Sequence, residues 1–201
     1  MKPILFIDFD GTLCHDKFWR SLEFGLEERV QEFIFSLNKD VVRDWMKGER
    51  TSEEINKLIA GSLPVEYIYL WDVFVRDCKE MYIDQHVLEK INILRDVYTA
   101  VLITDNMDCF DRFTVPVLGL KQHFDAVVNS SSRHQFKNDN GGKLFVDVAT
   151  ESSSQIVNSV LADNSENTCR TFSNLGGRSL FVTKEIPLSY WLDALRSEAG
   201  M

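Results

Sequence analysis

Apolar residues run unbroken through Ile4, Leu5, Phe6 and Ile7, return as Ala100, Val101, Leu102 and Ile103, and return again as Val160, Leu161 and Ala162. Each run is short, rich in β-branched or aromatic side chains and closed by turn-forming residues. This is the pattern of strands buried on both faces of a parallel sheet. Two more strands are expected in H-F-D-A-V-V-N-S (from His123) and from Arg178 to Thr183. Between the first two strands the period changes. From His15 to about Arg95 apolar residues fall three and four apart, first Phe18, Leu22, Phe24, Val30, Phe33 and Ile34, then Val41, Val42, Trp45 and Met46. Thr51 or Ser52 caps a helix whose first turn carries Glu53 and Glu54 and which Gly61 and Pro64 end. Another helix starts near Val65 with Tyr67, Leu70, Trp71, Phe74 and Val75 on one side. Further helices are expected over the V-P-V-L-G-L segment, from Leu144 to Asn158, and after Pro187, where Tyr190, Trp191, Leu192 and Leu195 face the core.

A crossover between parallel strands needs only about 30 residues in all, whereas this helical block spans about 70–80. It therefore reads as a bundle of its own, residues 15–95, inserted into an α/β core of residues 1–14 and 96–201. The core is a Rossmann-like three-layer fold, about five parallel strands between helices. The bundle leaves just after the first strand and would sit over that strand's carboxyl end. A purely stabilising insert is the alternative.

Composition narrows the partners. The chain has 201 residues, 44% hydrophobic, with 22 basic against 31 acidic residues and a net charge of -9. Bulk charge of that sign opposes binding to nucleic acid or to an anionic membrane. No apolar stretch approaches the roughly 18 residues that span a bilayer, and the amino terminus shows no signal-peptide pattern. The four cysteines, Cys14, Cys78, Cys109 and Cys169, are widely separated and lack C-x-x-C spacing. They read as reduced thiols, so a cytoplasmic setting is expected.

The candidate chemistry lies where the buried runs stop. Asp8 and Asp10 follow Ile7 at a spacing of two, and Gly11 and Thr12 then turn the chain. Carboxylates at the carboxyl end of a buried strand project into the crevice where open α/β sheets bind ligands, and burying them needs a compensating cation or donors. A plain Asp-Gly turn is the bland alternative. Thr104 ends the second run, followed by Asp105 and Asn106, which read as capping residues. Asp163, followed by Asn164, ends the Val160–Ala162 run and could equally be an N-cap. Lys137 stands in the loop before the Leu144 helix and is placed ahead of Lys143, just inside it.

The string D-F-D-G-T-L after four apolar residues resembles the first motif, D-x-D-G-T, of the haloacid dehalogenase (HAD) superfamily of phosphohydrolases. The Thr104, Lys137 and Asp163 segments resemble its remaining motifs and follow in family order. The resemblance implies that Asp8 is the nucleophile and Asp10 the general acid/base, with Thr104 and Lys137 on the phosphoryl oxygens. It also implies a Mg²⁺ ion held by Asp8, Asp10, Asp163 and Asn164, and a helical cap between the first and second motifs. Relatives often carry a second acid where this chain has Asn164, which bears on metal affinity. The expected function is a Mg²⁺-dependent phosphatase acting on a small phosphorylated substrate through an aspartyl-phosphate. A phosphomutase and a non-catalytic binding protein are the alternatives; HAD dehalogenases lack an acid at the position of Asp10. His15, Phe18, Trp19 and Arg20 are the nearest candidates for substrate contact from the cap.

Overall fold

The computed structural model describes residues 2–201. Five strands, β1 (Ile4–Ile7), β2 (Thr99–Thr104), β3 (Ala126–Asn129), β4 (Val160–Asp163) and β5 (Arg178–Phe181), form one parallel sheet in the order β3-β2-β1-β4-β5. β1 is central, with Ile4 opposite Thr99 on one side and Leu5 opposite Val160 on the other. The chain thus leaves β1 toward β2 and β3 and later returns to its other side for β4 and β5. Such a reversal parts the loops at the strand carboxyl ends and opens a crevice there.

Alternation along β1 divides the core. Ile4 and Phe6 face one side, with Val101, Ile103, Val128 and Leu161. Phe6, Phe145 and Phe172 meet there edge to face at 5.0–5.6 Å, the geometry favoured by aromatic quadrupoles. Leu5 and Ile7 face the other side, into a larger apolar cluster.

The inserted helices are α1 (Leu26–Gln31), running on as a π-helical turn (Glu32–Leu37), α2 (Lys39–Met46), α3 (Ser52–Ser62) and α4 (Tyr67–Lys79). Thr51 and Glu54 form a reciprocal capping box at the start of α3. Phe18, Trp19, Trp45 and Phe74 build the aromatic centre of this group, with ring centroids 4.8–6.1 Å apart. Phe24, counted above in the apolar series, is instead fully exposed. Helix α5 (Gln85–Leu94) packs along the carboxyl-terminal helix, where Lys90 pairs with Asp193 at 2.6 Å. Although it lies within residues 15–95, its partner is thus a helix of the α/β core.

Short helices α6 (Val115–Val117), α7 (Leu120–His123) and α8 (Ser130–Arg133) flank β3. Longer ones, α9 (Lys143–Glu151), α10 (Glu166–Asn174) and α11 (Leu188–Glu198), complete the layers. The helix expected to reach Asn158 stops at Glu151, because the chain enters a serine run in which Ser153 takes a left-handed φ of 52°. No helix among the described residues is long and apolar enough to cross a membrane, and all four cysteines are free and buried.

Two sets of polar contacts fix the insert over the strand ends. Asp108, four residues past β2, accepts from the Trp45 indole at 2.8 Å and the Ser52 hydroxyl at 2.6 Å. At the end of α2, the Met46 carbonyl accepts from the Ser130 hydroxyl at 2.7 Å, and Lys47 pairs with Asp139 at 3.0 Å. Gly48 (φ +72°) lies against the Ser131 carbonyl, where a Cβ would collide with backbone.

Candidate active site

The β1 ladder continues one residue further, the Asp8 N–H donating to the Ala162 carbonyl at 3.0 Å. The chain then folds over the Phe9 carbonyl, which accepts from the N–H groups of Thr12, Leu13 and Cys14. Gly11 adopts φ +76° in this turn, a conformation that costs glycine little and other residues more. Asp8 consequently sits buried at the strand end, while Asp10 opens onto the cleft. At the end of β4, Asp163 is wholly buried, and its Oδ1 accepts from the Ser165 N–H at 2.7 Å. Ser165, not Asp163, caps α10 through the Thr168 N–H. Thr104 closes β2, and its buried hydroxyl has no partner among the described residues.

Lys137 joins the strand ends. Its ammonium lies 2.7 Å from Asp8 Oδ1 and 2.7 Å from Asp163 Oδ2, with the side chain almost entirely buried. Its backbone N–H donates to Asp105 Oδ1 at 2.9 Å. Lys143 pairs with Asp147 on the exposed side of α9, away from the cluster. Burial works against the Lys137 charge, but Asp8 and Asp163 outweigh it and hold the ammonium above its ordinary range. Burial likewise pushes the Asp8 carboxyl up to about 6, against the pull of Lys137 and with a push from Asp163. Asp10 rises to about 7: the cleft walls withhold much of its hydration even though the residue is open to the cleft, and the Asp8 charge adds to this.

One contact escaped the sequence reading. Asn106, read as a capping residue, is buried and donates through Nδ2 to Asp10 Oδ2 at 2.7 Å. Its own orientation is fixed by the Met107 N–H on its Oδ1, at 2.8 Å, and by its N–H on the Ser130 hydroxyl, at 3.0 Å. The hint in the sequence is an amide two residues past the end of a buried strand.

A cavity of about 230 Å³ is lined by Asp8, Thr104, Lys137, Asn138 and Asp163 among others. A second, of about 490 Å³, shares Asp10, Asp105 and Asn164 with it and extends beneath the insert. His15 and Phe18 line the second cavity. Trp19 instead donates to Asn56 within the aromatic centre, and Arg20 donates to the Asp77 and Glu80 carbonyls. Asn164 donates its N–H to the Thr12 hydroxyl at 3.1 Å and lays its carboxamide against Gly11. Among the described residues no group of three or more His, Cys, Asp or Glu side chains is gathered as a metal cluster. A cation here would rest on Asp8 and Asp163, with neutral oxygens beside them. Chemically, the site offers a buried carboxylate, a fixed cation, a free hydroxyl and a second carboxyl poised near neutrality.

No family model and no curated protein matches the sequence. Solved structures do resemble the fold. A predicted HAD-like family hydrolase from Porphyromonas gingivalis, 16% identical, superposes with a TM-score of 0.76 over 100% of this chain and 99% of that one. A HAD family enzyme from Bacteroides thetaiotaomicron, solved with magnesium and inorganic phosphate, is 16% identical with a TM-score of 0.71, over 91% of this chain and 95% of that one. An L-2-haloacid dehalogenase from Xanthobacter autotrophicus is 13% identical with a TM-score of 0.65, over 97% and 88%. Folds shared at such identities leave the reaction to the residues of the site. The chain has the fold of the haloacid dehalogenase enzymes.

Proposed function

We propose that this chain is a Mg²⁺-dependent phosphatase that hydrolyses a small phosphate monoester through an aspartyl-phosphate on Asp8. The observation that carries the reading is the Lys137 ammonium, held 2.7 Å from both Asp8 and Asp163 beside the unpartnered Thr104 hydroxyl. An Asp8 oxygen attacks phosphorus, and the bond to the leaving oxygen breaks as Asp10 gives that oxygen its proton. Asp10, now a carboxylate, takes a proton from water as the water oxygen attacks the same phosphorus, which releases phosphate and restores Asp8. A carboxyl pushed up to about 7 suits both duties near neutral pH. Asn106 holds its carboxylate toward the cleft throughout. Thr104 and Lys137 bind the non-bridging oxygens, whose charge is the main thing catalysis must stabilise.

The donor set suits magnesium. Asp8 and Asp163 share one ammonium, so the pair keeps a net negative charge, and the oxygens around it are of the kind a hard cation prefers. Asp8 and Asp163, with the Asp10 carbonyl and Asn164, would hold the ion, and when bound it supplies positive charge to the phosphoryl oxygens. The B. thetaiotaomicron enzyme, crystallised with magnesium and phosphate, supports this assignment. The helices from α1 to α4 serve as the cap, and the four buried free thiols favour a cytoplasmic setting.

The test is hydrolysis of an alkyl phosphate by the purified protein, with Mg²⁺ and with a chelator. Turnover is expected only with the metal, and Asp10→Asn should slow it by about 10²–10⁴-fold. No hydrolysis of any monoester with Mg²⁺ would leave a binding protein instead. Asn164 sets a second expectation. Its amide brings a dipole where a carboxylate would bring a full charge, so Mg²⁺ should bind weakly until phosphate completes its shell. Asn164→Asp should tighten Mg²⁺ by roughly 10–100-fold without phosphate. A calorimetric titration in which the variant matches wild type removes Asn164 from the metal.

A further inference from the structure

We infer that the substrate is the monophosphate of an uncharged, ring-bearing alcohol, and that a polyhydroxylated sugar phosphate is discriminated against. This rests on the phosphatase reading above and concerns what lies beyond the phosphate. The cavity of about 490 Å³ opens from Asp10, the residue on the leaving-group side of that reaction. At roughly 30 Å³ for each water-sized group it has room for about fifteen, the size of one substituted ring or two small ones.

Its walls decide the chemistry. Phe18, Phe35, Val42, Met46 and Met107 line it with apolar side chains. Phe18 is locked from behind, its ring 5.6 Å from Phe74 and 6.1 Å from Trp45, so it presents a rigid face on which a ring can lie. Met46 and Met107 line the same cavity, where flexible thioethers adapt to the edge of a ring. Of the polar groups, Gln31 spends one of its two amide N–H donors on the Phe18 carbonyl. Asp16 likewise accepts from the Tyr82 N–H at 2.7 Å. A hexose would have to bury several hydroxyls against apolar side chains, and hydrogen bonds to water lost there are not replaced. A second anionic group fares no better. Lys17 is the one lysine or arginine on this wall, and it is exposed, while Asp10, Asp16 and Asp105 all line the same space.

Two alkyl phosphates of similar intrinsic reactivity separate these cases. With Mg²⁺ present, kcat/KM for 2-phenylethyl phosphate is expected to exceed that for glucose 6-phosphate by at least tenfold. Phe35→Asn, at a half-buried position on the cavity wall, should shrink that ratio severalfold. Equal values, or a preference for the sugar, would overturn the inference while leaving the phosphatase reading in place. The non-hydrolysable 2-phenylethyl phosphonate covers the other failure. If neither ester turns over but the phosphonate raises Tm and glucose 6-phosphate does not, selection for the ring stands and the hydrolytic reading falls. No turnover and no shift with the phosphonate overturns both.

Discussion

Asp8→Asn is expected to lower phosphate release by at least about 10⁴-fold, the scale on which removing a nucleophile is felt. The amide has nearly the shape of the carboxylate, and its oxygen can still accept from the Lys137 ammonium, which lies 2.7 Å from Asp8 Oδ1. What it lacks is the charged lone pair that, in the proposed reaction, forms the bond to phosphorus. The loss should therefore appear in turnover with little change in fold. The measurement is phosphate release by the purified variant beside a circular-dichroism spectrum and a urea titration. A variant that folds and turns over like wild type would end the covalent mechanism.

The second large effect is on stability. Lys137→Met keeps the length of the side chain but removes the cation from between two buried carboxylates. Breaking a buried ion pair by deleting one partner costs about 3–5 kcal/mol, because the other charge stays behind uncompensated. The deficit should depend on pH in a definite direction. Asp8 already titrates at about 6 in the folded chain, above its ordinary 3.8, and losing Lys137 raises it further. A carboxyl raised on folding lends stability in acid that is lost as the pH climbs through its folded value. The variant should thus come nearest to wild type at about pH 4 and fall away from it above about pH 6. Mg²⁺ should return part of the difference, since it brings positive charge to the same oxygens. Urea titrations at both pH values, with and without Mg²⁺, give the answer; a wild-type midpoint throughout would mean that Lys137 compensates nothing.

The parts of the fold and site that were legible in the sequence share one property: neighbours along the chain determine them. Four apolar residues ending at Asp8 specify a buried strand and the place where its polar end emerges, and the same reasoning located Thr104 and Asp163. Lys137 stood out from Lys143 because a lysine in a loop can reach inward, whereas one opening a helix is already committed to its face. Asn106 was missed because what defines it is Asp10, ninety-six residues away, and nothing local announces that partner. What a helix packs against is illegible for a related reason. Helix α5 carries the same three- and four-residue apolar spacing as the helices before it, but spacing records only that a face is buried, not which surface covers it. Ser153 shows a smaller case, where a left-handed residue ended a helix that the apolar pattern would have carried on to Asn158.

Finally, one apolar cluster runs without a break from Leu5 and Ile7, beneath the sheet, through Phe9 and Phe110 to Trp45, Ile55 and Phe74 of the inserted helices. Two lobes with separate interiors would melt one after the other. A shared interior ties them together, because opening either lobe exposes apolar surface of both, and the chain should unfold in a single cooperative transition. The boundary between core and insert is thus a boundary of topology and not of folding. Trimming the chain to its sheet and flanking helices would not release a minimal folded unit; it would lay bare an apolar face that invites aggregation.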